Sequence, residues 1–166
     1  MALELLKNSL NVNRMVGKDS TQTVIDSDVI VPDIKPDIAR ILLLDGDVYV
    51  RSAETMQDRI QVNGVVNYKI LYLPDDSSQA VRSINNGFDF SYSLDLINAR
   101  QGMSCNVKCD IEHMDYSLLN GRKVNVKTIL NVTGKVTEEV EQEVVNDLEG
   151  AEGIQVLKEN LSLNSY

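Results

Sequence analysis

The chain has 166 residues, comfortable for one domain and tight for two, and its 43% apolar and 25% charged residues are the balance of a globular protein. Its net charge of -9 is spread along the chain, which disfavours a phosphate backbone as partner; no Trp, two Phe and no basic stripe disfavour stacking on single strands as well. No apolar run approaches the ~18 residues that span a bilayer, so neither nucleic acid nor membrane insertion is expected.

At the N-terminus, Glu4 and Lys7 interrupt the apolar stretch and no small-residue cleavage site follows. This is unlike a secretory signal, and the expected location is the cytoplasm of the producing cell. The same segment has a second copy. Residues 3–15 align without a gap on residues 154–166, with Leu6/Leu157, Lys7/Lys158, Leu10/Leu161 and Asn13/Asn164 identical. Such self-similarity suggests a unit of roughly 150 residues whose successor begins at 154, that is, one module of a tandem array. The domain is accordingly placed at 1–153, with 154–166 the start of a following repeat or a linker strand.

Period-2 alternation predicts strands near 3–13, 20–31, 46–56, 58–73, 79–84, 88–96, 102–116, 122–133, 136–146 and 155–164. Val66, Tyr68, Ile70 and Tyr72 share one parity, as do Met103, Cys105, Val107, Cys109 and Ile111, and Val124, Val126, Leu130 and Val132. Turn residues separate the runs: Asn85-Asn86-Gly87, Asn120-Gly121 and the Pro74–Ser78 stretch. Asn63-Gly64 interrupts one long strand and is as consistent with a bulge as with a turn. The expected fold is all-β, a mainly antiparallel sandwich or barrel. One segment departs from it. Ile38, Ile41 and Leu42 follow helical spacing behind Pro36, predicting a short α-helix over 36–43, with Asp33 and Asp37 bound to backbone amides at its start.

The segment Val31-Pro-Asp-Ile-Lys-Pro-Asp-Ile-Ala-Arg-Ile-Leu42 carries a recognisable double Pro-Asp motif. It resembles the SPOCS domain, a module of spore-forming Firmicutes. Further matches follow in the order that family shows: Asp45, Met56-Gln57-Asp58, Leu71-Tyr72, Phe88, the Cys105/Cys109 strand with Ile111-Glu112-His113, and Arg122-Lys123. Motif residues Pro32, Asp33, Pro36, Asp37, Ile41 and Leu42 are expected to be structural. The resemblance, strongest to the SipL-type spore coat morphogenetic proteins, implies a non-enzymatic role in building the spore coat. It implies a location in the mother cell at the forespore surface, other coat morphogenetic proteins as partners, and no cofactor. SipL-type proteins engage the basement-layer ATPase through a LysM domain. These 166 residues contain no such segment, so direct ATPase binding is not expected of them.

Two constellations could carry chemistry. Cys105-x3-Cys109-x3-His113 has metal-like spacing, but strand residues four apart are separated by roughly 13 Å. That defeats both a shared zinc ion and a disulfide; only a helix would gather the three side chains. Reduced core cysteines and an ordinary histidine are expected. The carboxylates Asp26, Asp28, Asp33, Asp37, Asp45 and Asp47 cluster in sequence but show no EF-hand spacing. No nucleophile elbow or Walker loop occurs, and Arg122-Lys123 reads as a solvated tip. Neither a catalytic nor a metal residue is assigned.

In the tail, Val156, Leu157, Leu161 and Leu163 form an apolar pattern suited to strand addition, to the chain's own sheet or to a neighbour, with self-association the consequence. The competing function is recognition of cell-wall glycan or another spore-surface component. It would require a solvent-facing row among Tyr49, Tyr68, Tyr72, Tyr92 and Tyr116.

Overall fold

In the computed structural model, residues 4–76, 80–149, 157 and 159 are described. Six strands follow in chain order: β1 (Glu4–Ile30), β2 (Ile38–Met56), β3 (Arg59–Pro74), β4 (Arg82–Asp95), β5 (Ser104–Asn120) and β6 (Lys123–Glu149). They form two three-stranded sheets, ordered β1-β6-β5 and β2-β3-β4. The β2–β3, β3–β4 and β5–β6 pairs are antiparallel. The chain divides into two compact units, residues 14–138 and residues 1–13 with 139–166.

The larger unit is an antiparallel sandwich. Each sheet places its most regularly alternating strand in the centre. Along β3, Ile60, Val62, Val66, Tyr68, Ile70 and Tyr72 are buried; along β6, so are Val124, Val126, Leu130, Val132 and Val136. A strand flanked on both sides loses its backbone polar groups to ladder bonds, so its inward face can be wholly apolar. Each such buried side chain contributes about 1.5–3 kcal/mol of transfer free energy. Inside this core the Tyr68 hydroxyl meets the Thr128 hydroxyl at 2.6 Å, tying β3 to β6 across the two sheets.

The smaller unit, in its described part, is a ribbon of β1 residues 4–13 and β6 residues 139–149. Lys7 pairs with Glu143 at 3.0 Å. Odd positions of the two strands therefore share a face, and Leu6, Leu10 and Val12 share the other with Val140 and Val144.

The helix expected over 36–43 is absent: β2 begins at Ile38. Ile38 and Ile41 are both buried although three residues apart. The cause is a register shift between Ile38 and Arg40 against β3, which inserts one residue and returns Ile41 to the inner face. A β-bulge thus reproduces the spacing of a helix. Leu42, at a second shift between Ile41 and Leu43, is 43% exposed. Three of the expected breaks are also bridged. Strands 3–13 and 20–31 run together as β1, 79–84 and 88–96 as β4 from Arg82 onward, and 122–133 and 136–146 as β6. Asn85-Asn86-Gly87 lies within β4, paired with Lys69, Tyr68 and Asn67. Gly87 serves space there, because a Cβ would lie 2.8 Å from the Asn67 side-chain oxygen. The chain does reverse at the expected place, Gly121 and Arg122 forming the β5–β6 turn behind Asn120, which pairs with Lys123. The strand expected at 155–164 lies mostly outside the described residues; Leu157 and Glu159 are in no strand.

Candidate interaction site at the Pro-Asp motif

The double Pro-Asp motif occupies the connection from β1 to β2. Pro32 and Pro36 have fixed φ and no N–H, which suits a chain that must turn between two strands. The Lys35 N–H donates to the Pro32 carbonyl at 2.9 Å and closes a tight turn, with Ile34 at its tip 93% exposed. The turn is tied down on every side. Val31 donates its N–H to the Arg122 carbonyl at 2.9 Å, and Ile38 to the Gly121 carbonyl at 2.7 Å. The Asp75 N–H donates to the Asp37 carbonyl at 2.8 Å, and the Tyr72 hydroxyl to the Pro36 carbonyl at 3.0 Å. The Lys35 ammonium donates to the Ser83 carbonyl.

Arg122, at the tip of the β5–β6 hairpin, is the centre of this arrangement. One guanidinium nitrogen donates to Asp37 at 2.5 Å. The other reaches Asp33 at 3.3 Å and the carbonyls of Pro32 and Val31 at 3.1 and 3.2 Å. The fork geometry of a guanidinium allows one side chain to hold two carboxylates and two carbonyls. Asn120 positions it by accepting the Arg122 N–H at 2.8 Å. Gly121 leaves the room needed: a Cβ would stand 3.2 Å from that of Asp37.

Two expectations are corrected here. Asp33 and Asp37 do not cap a helix; their carboxylates accept from Arg122. Arg122 is not a solvated tip but the clasp of the motif. Replacing Arg122 with alanine removes all four bonds. Because the carboxylates are exposed, the expected loss is modest, about 1–2 kcal/mol, or roughly 3–6 °C in Tm for a chain of this size. Arg122→Lys keeps the charge but not the fork, and is expected to recover less than half of that loss in a thermal melt.

The other candidate residues do not converge. Asp26 and Asp28 both accept from the Asn125 amide, and Asp28 also pairs with Lys123 at 2.7 Å. The Asn125 bond, then that from Lys123, holds the Asp28 carboxyl below its ordinary range. Asp45 accepts the N–H of its neighbour Gly46, and Asp47 shares a shallow polar dent with Asn67, Lys69 and Asn85. Asp58, with φ at 55°, accepts from Gln57 and from the Asn98 N–H, which together lower its pKa and pin the 96–99 loop to the β2–β3 turn.

Cys105, Cys109 and His113 stand in β5 opposite Val136, Val132 and Ile129. Both thiols are free and half-buried against the core. Burial, with Asp110 adding to it, pushes the Cys109 thiol up and leaves it a poor nucleophile. A register shift between Ile111 and His113 turns the exposed imidazole away from them. Among the described residues no group of three His, Cys, Asp or Glu is placed to hold a metal ion. Of the tyrosines, Tyr68 and Tyr72 are buried and Tyr92 is half-buried; Tyr49 and Tyr116 are exposed but belong to different sheets. Among the described residues no helix is long and apolar enough to cross a membrane. In the tail, Leu157 is 87% exposed, while Val156, Leu161 and Leu163 lie outside the described residues.

A family model described as "SipL, SPOCS domain" matches residues 37–119, half of the chain. The matched stretch contains Asp37, Ile41 and Leu42 of the motif and ends just before the Arg122 turn. No curated protein and no solved structure matches the chain. With the double Pro-Asp motif riveted between strands and half of its length matching, the chain belongs to the SPOCS domain family of SipL-like, sporulation-related proteins.

Proposed function

We propose that this domain is a non-enzymatic structural and interaction module of spore coat assembly, one of several tandem copies in a SipL-like parent protein. It would work in the mother cell at the forespore surface, beside other coat morphogenetic proteins. The observation that carries this reading is the clasp. The carboxylates of the family motif pair with Arg122 of the same chain, and the turn they brace thrusts Ile34 into solvent at 93% exposure. An apolar side chain on a preorganised turn suits a docking anchor, because little ordering entropy remains to be lost on binding. The motif would then serve assembly through shape and not through turnover. Recognition of cell-wall glycan, the second reading, draws no support from two exposed tyrosines on separate sheets.

The test uses the tagged full-length parent protein in sporulating cells. Ile34→Asp is expected to leave the fold intact, since this side chain buries almost nothing, and to weaken recruitment to the forespore surface. Normal recruitment and normal coat assembly, both with Ile34→Asp and with residues 14–138 deleted, would overturn the proposal.

A further inference from the structure

The ladder between β5 and β6 stops at Ser104 opposite Thr137, and β5 itself begins at Ser104. Beyond that point β6 continues to Glu149. Along residues 139–149 it has β1 on one edge and, among the described residues, no strand on the other. An open edge of this kind is a template for a further strand.

The chemistry of this edge is unusually one-sided. Glu139, Glu141, Glu143, Asp147 and Glu149 all fall on odd positions, and the segment contains no Lys or Arg. Val140 and Val144 lie on the even positions, beside Leu6, Leu10 and Val12 of β1. A strand with apolar side chains on one face and a cation on the other matches this pattern.

β1 is the strand that already does so, with Lys7 on Glu143 at 3.0 Å and Leu6, Leu10 and Val12 on the apolar face. Its sequence duplicate carries the same set at a constant offset: Leu157 for Leu6, Lys158 for Lys7, Leu161 for Leu10 and Leu163 for Val12. Of that duplicate, Leu157 is 87% exposed and in no strand, which leaves its side chain available to a partner.

We infer that the edge of β6 at residues 139–149, open among the described residues, is a strand-addition site, and that its occupant is segment 154–166 of a second copy of this module. The added strand runs antiparallel to β6, as its duplicate β1 does on the opposite edge. Lys158 lies on the carboxylate face near Glu143. Leu157, Leu161 and Leu163 widen the apolar face begun by Leu6, Leu10 and Val12. This deepens the assembly reading, and supplies a contact by which successive modules could be joined.

The full 166-residue chain, measured by sedimentation equilibrium over a range of concentrations, tests this. The wild type is expected to exceed monomer mass as concentration rises. Leu157→Asp with Leu161→Asp should return it to a monomer with an unchanged circular dichroism spectrum, and Lys158→Glu should weaken association roughly tenfold. A synthetic peptide of residues 154–166 should dissociate the oligomer, and the same peptide with both Asp substitutions should not. A wild-type chain that stays monomeric to millimolar concentration overturns the inference. So does an oligomer that survives the double substitution or ignores the peptide. Monomeric behaviour combined with normal dependence of coat recruitment on Ile34 would sink this contact alone and leave the assembly reading standing. Association without any role in recruitment would do the reverse.

Discussion

Gly64→Ala is expected to cost about 2–4 kcal/mol, a large effect for a single added methyl group. Gly64 sits inside β3 and pairs with Val50 of β2 and Phe90 of β4. A Cβ there would stand 2.5 Å from the Tyr49 carbonyl oxygen and 2.6 Å from two carbons of the Phe90 ring. The ring could rotate away at the expense of its packing. The carbonyl could not, because β2 already carries a register shift between Val50 and Ser52 at this point, and moving Tyr49 would break the ladder on both sides of it. Backbone against Cβ admits no cheap relaxation, so the cost should appear as a lowered denaturation midpoint with an unchanged slope. A loss below about 0.5 kcal/mol, the range of ordinary surface substitutions, would show that Phe90 and the bulge do not constrain this glycine.

Tyr68→Phe is expected to cost about 1–3 kcal/mol. Tyr68 and Thr128 are almost fully buried, and their hydroxyls satisfy each other at 2.6 Å between the two sheets. Removing one leaves the other without a partner in an apolar interior, and that desolvation penalty is larger than the net worth of the bond itself. The two substitutions should therefore not add. Tyr68→Phe with Thr128→Val removes both polar atoms, and the double variant should be more stable than the Tyr68→Phe single variant. A double-mutant cycle by urea denaturation measures this coupling; strict additivity would mean that the hydroxyls are solvated independently. Tyr68 also stacks obliquely on Phe88, with ring centroids 5.8 Å apart, and the phenylalanine variant leaves that contact in place.

Both residues illustrate how much of the molecule is legible along the chain. The inward parity of Val66, Tyr68, Ile70 and Tyr72, and of Val124, Val126, Leu130 and Val132, survives intact in the two central strands. A strand has one period, and a two-sheet core rewards it at every second position. The all-β class and the half-buried thiols of Cys105 and Cys109 follow from the same rule. Asn120-Gly121 is legible as a turn because it separates two runs that have to reverse.

The failures share a cause. Ile38 and Ile41 imitate a helix because a bulge shifts parity by one, and a bulge is set by the partner strand and not by the residues themselves. Asn85-Asn86-Gly87 has turn chemistry yet remains extended, because three successive pairings with β3 outweigh local preference. Nothing near Arg122 in the chain signals that it will clasp the motif, since its carboxylate partners Asp33 and Asp37 are 89 and 85 residues away. Hydrophobic alternation is a property of neighbours and can be read from order alone. A clasp between distant loops exists only once the sandwich has brought their ends together.

The amino-acid order by itself determined the strand-rich class, the inward face of each central strand, the family motif and the duplication of residues 3–15 at 154–166, since all of these are local patterns or self-comparisons. The tertiary structure alone decided that the motif is a turn held by Arg122, that the cysteines and His113 part company, and that β6 runs on past the end of its ladder with β5. Register and edge exposure depend on which strands meet and where each one stops, and no single segment carries that information.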